Sequence, residues 1–160
     1  MPAADAPVRD ASTEELVSSL IRETAVRLDR EDLEGWFELF AQNASYELNS
    51  YSPELRAQTV WWRADRGELE KQLGEVHEHV RDPARRLHLV TPMSVTIAGG
   101  QVTALSHFVI YRTLPSGESA LFAVGRYEDE FVLENGCWRY AVHRAVLETR
   151  VLDAFTHLPL

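Results

Sequence analysis

From Arg85 to Arg150 apolar and polar positions alternate with a period of two, interrupted at Gly99-Gly100, Pro115-Ser116-Gly117 and Asn135-Gly136. Glycine reaches positive φ without a steric penalty, and Asn-Gly is a strong hairpin signal. Between these turns lie β-branched and aromatic runs: Val95-Thr96-Ile97, Phe108-Val109-Ile110-Tyr111, Phe131-Val132-Leu133 and Trp138-Arg139-Tyr140. Such residues suit a pleated, half-buried surface. The pattern predicts four strands of about 12–15 residues each, against a usual length of about 5–6. Strands that long twist and coil, so the sheet is expected to curve and cup something on one face.

The first half carries helical periods. Ser12 with Glu15 three residues on reads as a capping box. Leu16, Leu20, Ile21, Ala25 and Leu28 follow at helical spacing, which predicts a helix over 13–28. Asp29 is the expected cap of a second helix ending near Phe40, with Asp32 at its third position and Leu33, Trp36, Phe37 and Phe40 as its apolar stripe. Residues 44–48 read as a short strand and 49–59 as a loop. Trp61 and Trp62 cannot both face one core in extended backbone, so at least one is expected to meet a loop, a ligand or another chain. Asp65 with Glu68 predicts the cap of a third helix, buried through Leu69, Leu73, Val76 and Val80 and ended by Pro83. Three helices followed by a meandering sheet read as α+β, with the helices on the concave face of a strongly curved, mainly antiparallel sheet.

A two-residue turn at Gly99-Gly100 fixes a register. It puts Leu87, Leu89, Met93, Val95 and Ile97 on the core face with Ile110, Phe108, Ala104 and Val102. The opposite face then carries Arg86, His88, Val90, Pro92 and Ser94 with Thr113, Tyr111, Val109, His107 and Leu105. That mixture of aliphatics, His, Tyr and Arg with few acids resembles a buried protein interface. The Asn135-Gly136 turn places Asp129 and Arg144 on the apolar face of the last hairpin, and buried charges are normally paired or hydrogen-bonded, so Asp129 is expected to be buried and held by Arg144 or by backbone N–H groups. The parity of apolar positions switches near Gly125, which predicts a bulge or sharp bend there.

A chain of 160 residues is one domain by length, with 1–11 as an expected disordered lead and 12–160 as the folded unit. The lead lacks the apolar centre of a signal peptide. No apolar run reaches the roughly 18–20 residues of a membrane span. The net charge of −9 makes nucleic acid and anionic membranes poor partners. The single Cys137 excludes an internal disulfide or a Cys-rich metal centre and suits a cytoplasmic location.

The common catalytic signatures are missing: there is no HExxH, phosphate loop or GxSxG. A two-His, one-carboxylate iron site could draw on His88 and His107, but they fall about 13 Å apart along the sheet at the usual rise. No catalytic, metal or cofactor residue is assigned. An acid/base pocket in the cone could use Asp32, Tyr46, Tyr51, His88, His107 or Asp129. That reading describes a free-standing dehydratase, isomerase or cyclase, and a binding module without chemistry is a further alternative.

Arg85-Arg86-Leu87-His88-Leu89-Val90, Leu121 to Phe131, Arg144-Ala145-Val146-Leu147-Glu148 and the Trp36 to Phe40 stretch together resemble the small (β) subunit of Rieske non-haem iron aromatic-ring-hydroxylating dioxygenases. The 151–160 tail is similar to that of the terephthalate-type subunits. Family members often carry Arg where this chain has Leu87, and Asn where it has Pro92. The resemblance implies a cystatin-like, nuclear-transport-factor-2-like cone and a non-catalytic subunit of an oxidoreductase acting on aromatic carboxylates or related arenes. It implies that the Rieske cluster and the mononuclear iron belong to a partner large (α) subunit, in an α3β3 assembly built on a trimer of this chain. Candidate interface residues are Trp61, Trp62, Arg85, Arg86, His88, His107, Val109, Tyr111, Leu158 and Leu160.

Overall fold

The computed structural model describes residues 11–76, 82–154 and 158–160. The elements run α1 (Ala11–Asp29), α2 (Leu33–Glu38), β1 (Phe40–Ser52), β2 (Ala57–Asp65), α3 (Arg66–Glu75), β3 (Arg85–Ala98), β4 (Gln101–Thr113), β5 (Ser119–Glu134) and β6 (Cys137–Leu147). The strands form one sheet in the order β2-β1-β6-β5-β4-β3. Every neighbouring pair is antiparallel except β1 with β6. This is the expected α+β architecture, with α1 lying along β3 and α3 against β1.

Local chemistry explains the elements. The Asp65 side chain accepts the Glu68 N–H at 2.9 Å while Glu68 accepts the Asp65 N–H at 3.0 Å, the reciprocal cap that starts α3. Gly99, Gly100, Asn135 and Gly136 all take positive φ at the two hairpin tips. The α1 stripe is Val17, Ile21, Thr24, Ala25 and Leu28; Leu16, expected inside, is exposed. Asp32, not Asp29, caps α2, accepting the Gly35 N–H at 3.0 Å. Residues expected to form a loop over 49–59 instead continue β1 and turn into β2, which the polar composition of that hairpin hid. Val80, expected in the α3 stripe, lies outside the described residues.

Three bulges among β3, β4, β5 and β6 set which of their side chains face inward. Between β3 and β4 the pairing runs from Ala98↔Gln101 to Ser94↔Leu105, then skips Met93 and resumes at Pro92↔Ser106. One extra residue in a strand moves every later side chain to the other face. His88 and Val90 therefore face inward beside Ile110 and Phe108, and Leu87, Leu89 and Met93 face out, the reverse of the uninterrupted register. A second bulge, at Ala141, brings His143 opposite Asp129. The third lies at Phe122, between Ile110↔Ala123 and Tyr111↔Leu121. It is not at Gly125, which is needed for a different reason: a Cβ there would lie 2.3 Å from the Val146 carbonyl oxygen and 2.7 Å from Phe108 Cζ.

The core between helices and sheet is aromatic. Trp36, Phe40, Tyr46, Phe108, Tyr127 and Tyr140 are all at most 2 % exposed. Fully burying a large apolar side chain contributes about 1.5–3 kcal/mol. Rings of this size, held by α2 and four neighbouring strands, tie the helical layer to the sheet.

Candidate functional site

The face of the sheet turned away from the helices divides into two zones. At one end, cross-strand rows Leu87–Tyr111–Leu121 and Leu89–Val109–Val124 form an apolar band over β3, β4 and β5. Leu87, Leu89, Met93 and Leu121 are each more than half exposed, and Tyr111 is 40 % exposed. These aliphatics and Tyr111 leave a contiguous apolar strip in water beside the edge strand β3.

Next to the band runs a ladder of charge. Arg126 Nε lies 2.8 Å from Glu128 Oε1, Glu128 faces Arg144 across the strands, Arg144 Nε lies 2.7 Å from Glu47 Oε2, and Arg63 Nη2 lies 2.6 Å from Glu47 Oε1. Burial pushes the Glu47 carboxyl up, but hydrogen bonds from Arg144 and Arg63 outweigh it and hold the group below the ordinary Glu value. Glu47 is buried while Arg63 and Arg144 are partly exposed, so the two pairs bridge β2, β1 and β6 on the outer face with solvent screening part of their strength.

The inner face holds a different set. Asp129 and His143 are cross-strand partners, both buried, with Oδ1 and Nδ1 2.7 Å apart. Arg144 points to the opposite face, so the expected Asp129–Arg144 side-chain pair does not form; the Ala141 bulge substitutes His143. Burial raises the Asp129 carboxyl above its ordinary value, and the contact with His143 opposes that rise. Burial also pushes the Tyr127 and Tyr140 phenols well up. His88 is tied to α1: Asp29 Oδ1 accepts its backbone N–H at 2.9 Å and lies 2.6 Å from its Nδ1. Arg86, half-buried, lies over the Phe122 ring at 4.7 Å, and burial depresses its pKa.

The expected interface residues therefore separate. His107, Val109 and Tyr111 lie on the outer face, Arg85 is exposed at the sheet edge, and Trp61 is exposed at a bulge of β2. Arg86, His88 and Trp62 point inward, Trp62 packing edge-on against Tyr46 with centroids 5.0 Å apart. Leu158 packs on the core and Leu160 is fully buried, its N–H donated to Tyr46 Oη at 3.1 Å. The six acid/base candidates are dispersed as well: Asp32 caps α2, Tyr51 is exposed, His107 faces out, Tyr46 bonds Leu160, and His88 and Asp129 have separate partners. Leu87, Leu89, Leu121 and His143 were missed because the bulge positions were unknown. Among the described residues no group of three or more His, Cys, Asp or Glu could hold a metal ion, and no helix is long and apolar enough to cross a membrane.

A helix-lined cone whose sheet has one packed and one partly apolar outer face defines a nuclear-transport-factor-2-like protein. Residues 9–144 match the SnoaL-like domain family, and the chain belongs to it. Its relatives are β subunits of oxygenases. It is 29 % identical to the methanesulfonate monooxygenase hydroxylase subunit beta of Methylosulfonomonas methylovora, over 97 % of this chain and 90 % of that protein. It is 27 % identical to the 2-aminobenzenesulfonate 2,3-dioxygenase subunit beta of an Alcaligenes species, over 90 % and 97 %. The fold matches the β subunit of a putative aromatic-ring-hydroxylating dioxygenase from Novosphingobium aromaticivorans with a TM-score of 0.75, at 19 % identity over 87 % of this chain and 91 % of that one.

Proposed function

We propose that this chain is the non-catalytic β subunit of a multicomponent ring-hydroxylating oxygenase, working in the cytoplasm with a large subunit that carries the Rieske cluster and the mononuclear iron. The observation that carries this is the exposed band of Leu87, Leu89, Tyr111 and Leu121, which a free monomer would leave in water. Of the acid/base candidates, Asp32 caps α2 and Tyr51 and His107 are exposed, while Asp129 is engaged by His143. His88 and His107 point to opposite faces of the sheet, so they cannot share an iron. The named substrates of the relatives, sulfonates among them, support an organic acid, an aromatic carboxylate or sulfonate, as the substrate of the complex.

The band is the contact between copies of this chain in a trimer, on which three large subunits assemble. A heterologous contact closes into a ring when the rotation allows it. Co-expression with a candidate large oxygenase subunit, followed by light scattering, tests this. The expected product is an α3β3 particle. A wild-type chain that stays monomeric beside its large subunit overturns the assignment.

A further inference from the structure

Among the described residues several inward-facing buried polar atoms have no hydrogen-bond partner, His88 Nε2 and Arg86 Nη1 near β3 and, grouped around His143, Trp36 Nε1, Ser106 Oγ, Tyr127 Oη, Asp129 Oδ2 and His143 Nε2. The five residues of the group around His143 are each at most 2 % exposed. They are also neighbours. Ser106 pairs with Tyr127 across β4 and β5, and Asp129 pairs with His143 across β5 and β6. The Tyr127 and Trp36 rings lie 4.8 and 6.3 Å from the His143 ring. Tyr46, next to His143 on β1, is not among them, because its hydroxyl is engaged by Leu160.

A buried polar group without a partner costs about 1–3 kcal/mol. Five in one cluster call for something that partners them. We propose that this cluster is a binding site for a small neutral molecule bearing an O–H group that both donates and accepts hydrogen bonds. The donor and acceptor inventory fits that chemistry. Trp36 can only donate, the free Asp129 oxygen accepts, and the two hydroxyls do either. His143 Nε2 donates or accepts according to which ring nitrogen carries the proton. An ion is a poor fit, because the residues of the cluster are all at most 2 % exposed and a charge is costly to desolvate there. The O–H group can come from bulk water, two to four partners being usual for a buried water, or from a small hydroxy compound admitted where the 158–160 segment covers Tyr46.

Tyr127→Phe and Ser106→Ala each remove one oxygen and little else. If the hydroxyls bind an O–H ligand, each variant melts about 2–4 °C below the wild type. If they face a dry core, each melts at or above the wild-type temperature, and the proposal is overturned. A high-resolution crystal structure provides an independent measurement: an ordered oxygen within hydrogen-bond distance of Tyr127 Oη and His143 Nε2 supports the site, and empty density there overturns it. Phenol separates the two sources. A phenol-dependent rise in wild-type melting temperature that disappears in Tyr127→Phe assigns the site to an organic hydroxy compound. No rise, with the oxygen present, assigns it to water.

Discussion

Asp129 Oδ1 lies 2.7 Å from His143 Nδ1, and both side chains are fully buried. Arg144, one residue on, faces the other side of the sheet and bonds Glu47. The inward pair closes the core between β5 and β6, whereas the outward pair links β6 to β1. Removing one member of a buried pair strands the other, at a cost of about 3–5 kcal/mol. Asp129→Ala is therefore expected to lower the unfolding free energy by that amount, measured by urea denaturation. Asp129→Asn keeps an acceptor for His143 and is expected to cost less than half as much. Equal losses in the two variants would show that shape, and not the hydrogen bond, is what the site requires.

The same carboxyl sets a pH dependence. Its folded-state pKa is raised by burial, so the folded chain binds the proton more tightly than the unfolded chain. Stability from this group then falls as pH rises from the ordinary Asp range through the raised value. Asp129→Asn should flatten that part of the profile, followed as melting temperature against pH. An unchanged slope in the variant assigns the dependence to another group.

Glu47 acts with the opposite sign. Its folded pKa is depressed, so its contribution is fully present above the ordinary Glu value and is lost as pH falls through the lowered one. Glu47→Gln should lower stability at neutral pH, modestly because the partners Arg63 and Arg144 are partly exposed and solvent screens them, while leaving the acid limit nearly unchanged, so that the acid-side loss is smaller than in the wild type. Acid unfolding curves of the two proteins that superimpose would exclude this role.

Gly125 admits no side chain. The nearest obstacle to a Cβ is a backbone oxygen, which cannot rotate away, and the second is the buried Phe108 ring. Gly125→Ala is expected to destabilise by about 1–3 kcal/mol, the usual cost of overpacking. Phe108→Leu in the same background should recover part of it by relieving the ring contact. A Gly125→Ala protein as stable as the wild type would mean that β5 and β6 separate there without penalty.

Val109 lies in the middle of the outer apolar band, between Leu89 and Val124. Val109→Asp would bury an unpaired charge wherever this face is covered by another chain. The expected result is loss of the trimer with the monomer fold intact, seen as a drop in mass by light scattering with an unchanged circular dichroism spectrum. The same mass for both proteins would place the contact on another face.

Much of this molecule was legible in the chain. The α+β class, the α3 cap and the turns at Gly99-Gly100 and Asn135-Gly136 follow from short-range chemistry, because capping groups and positive-φ residues act within a few positions. Even the register next to each turn was readable: Ala98↔Gln101 and Glu134↔Cys137 pair as the turns dictate. Beyond Met93 and Ala141 the turns stop determining the faces. Leu87 and Leu89 alternate with His88 and Val90, so both parities offer apolar side chains and neither excludes the other by composition. Which of them faces inward was decided by tertiary contacts: Asp29 at the end of α1 captures His88, and an aromatic cage closes around His143. A bulge inserts one residue at a cost that local sequence does not encode, and the three-dimensional packing on each face determines where it falls.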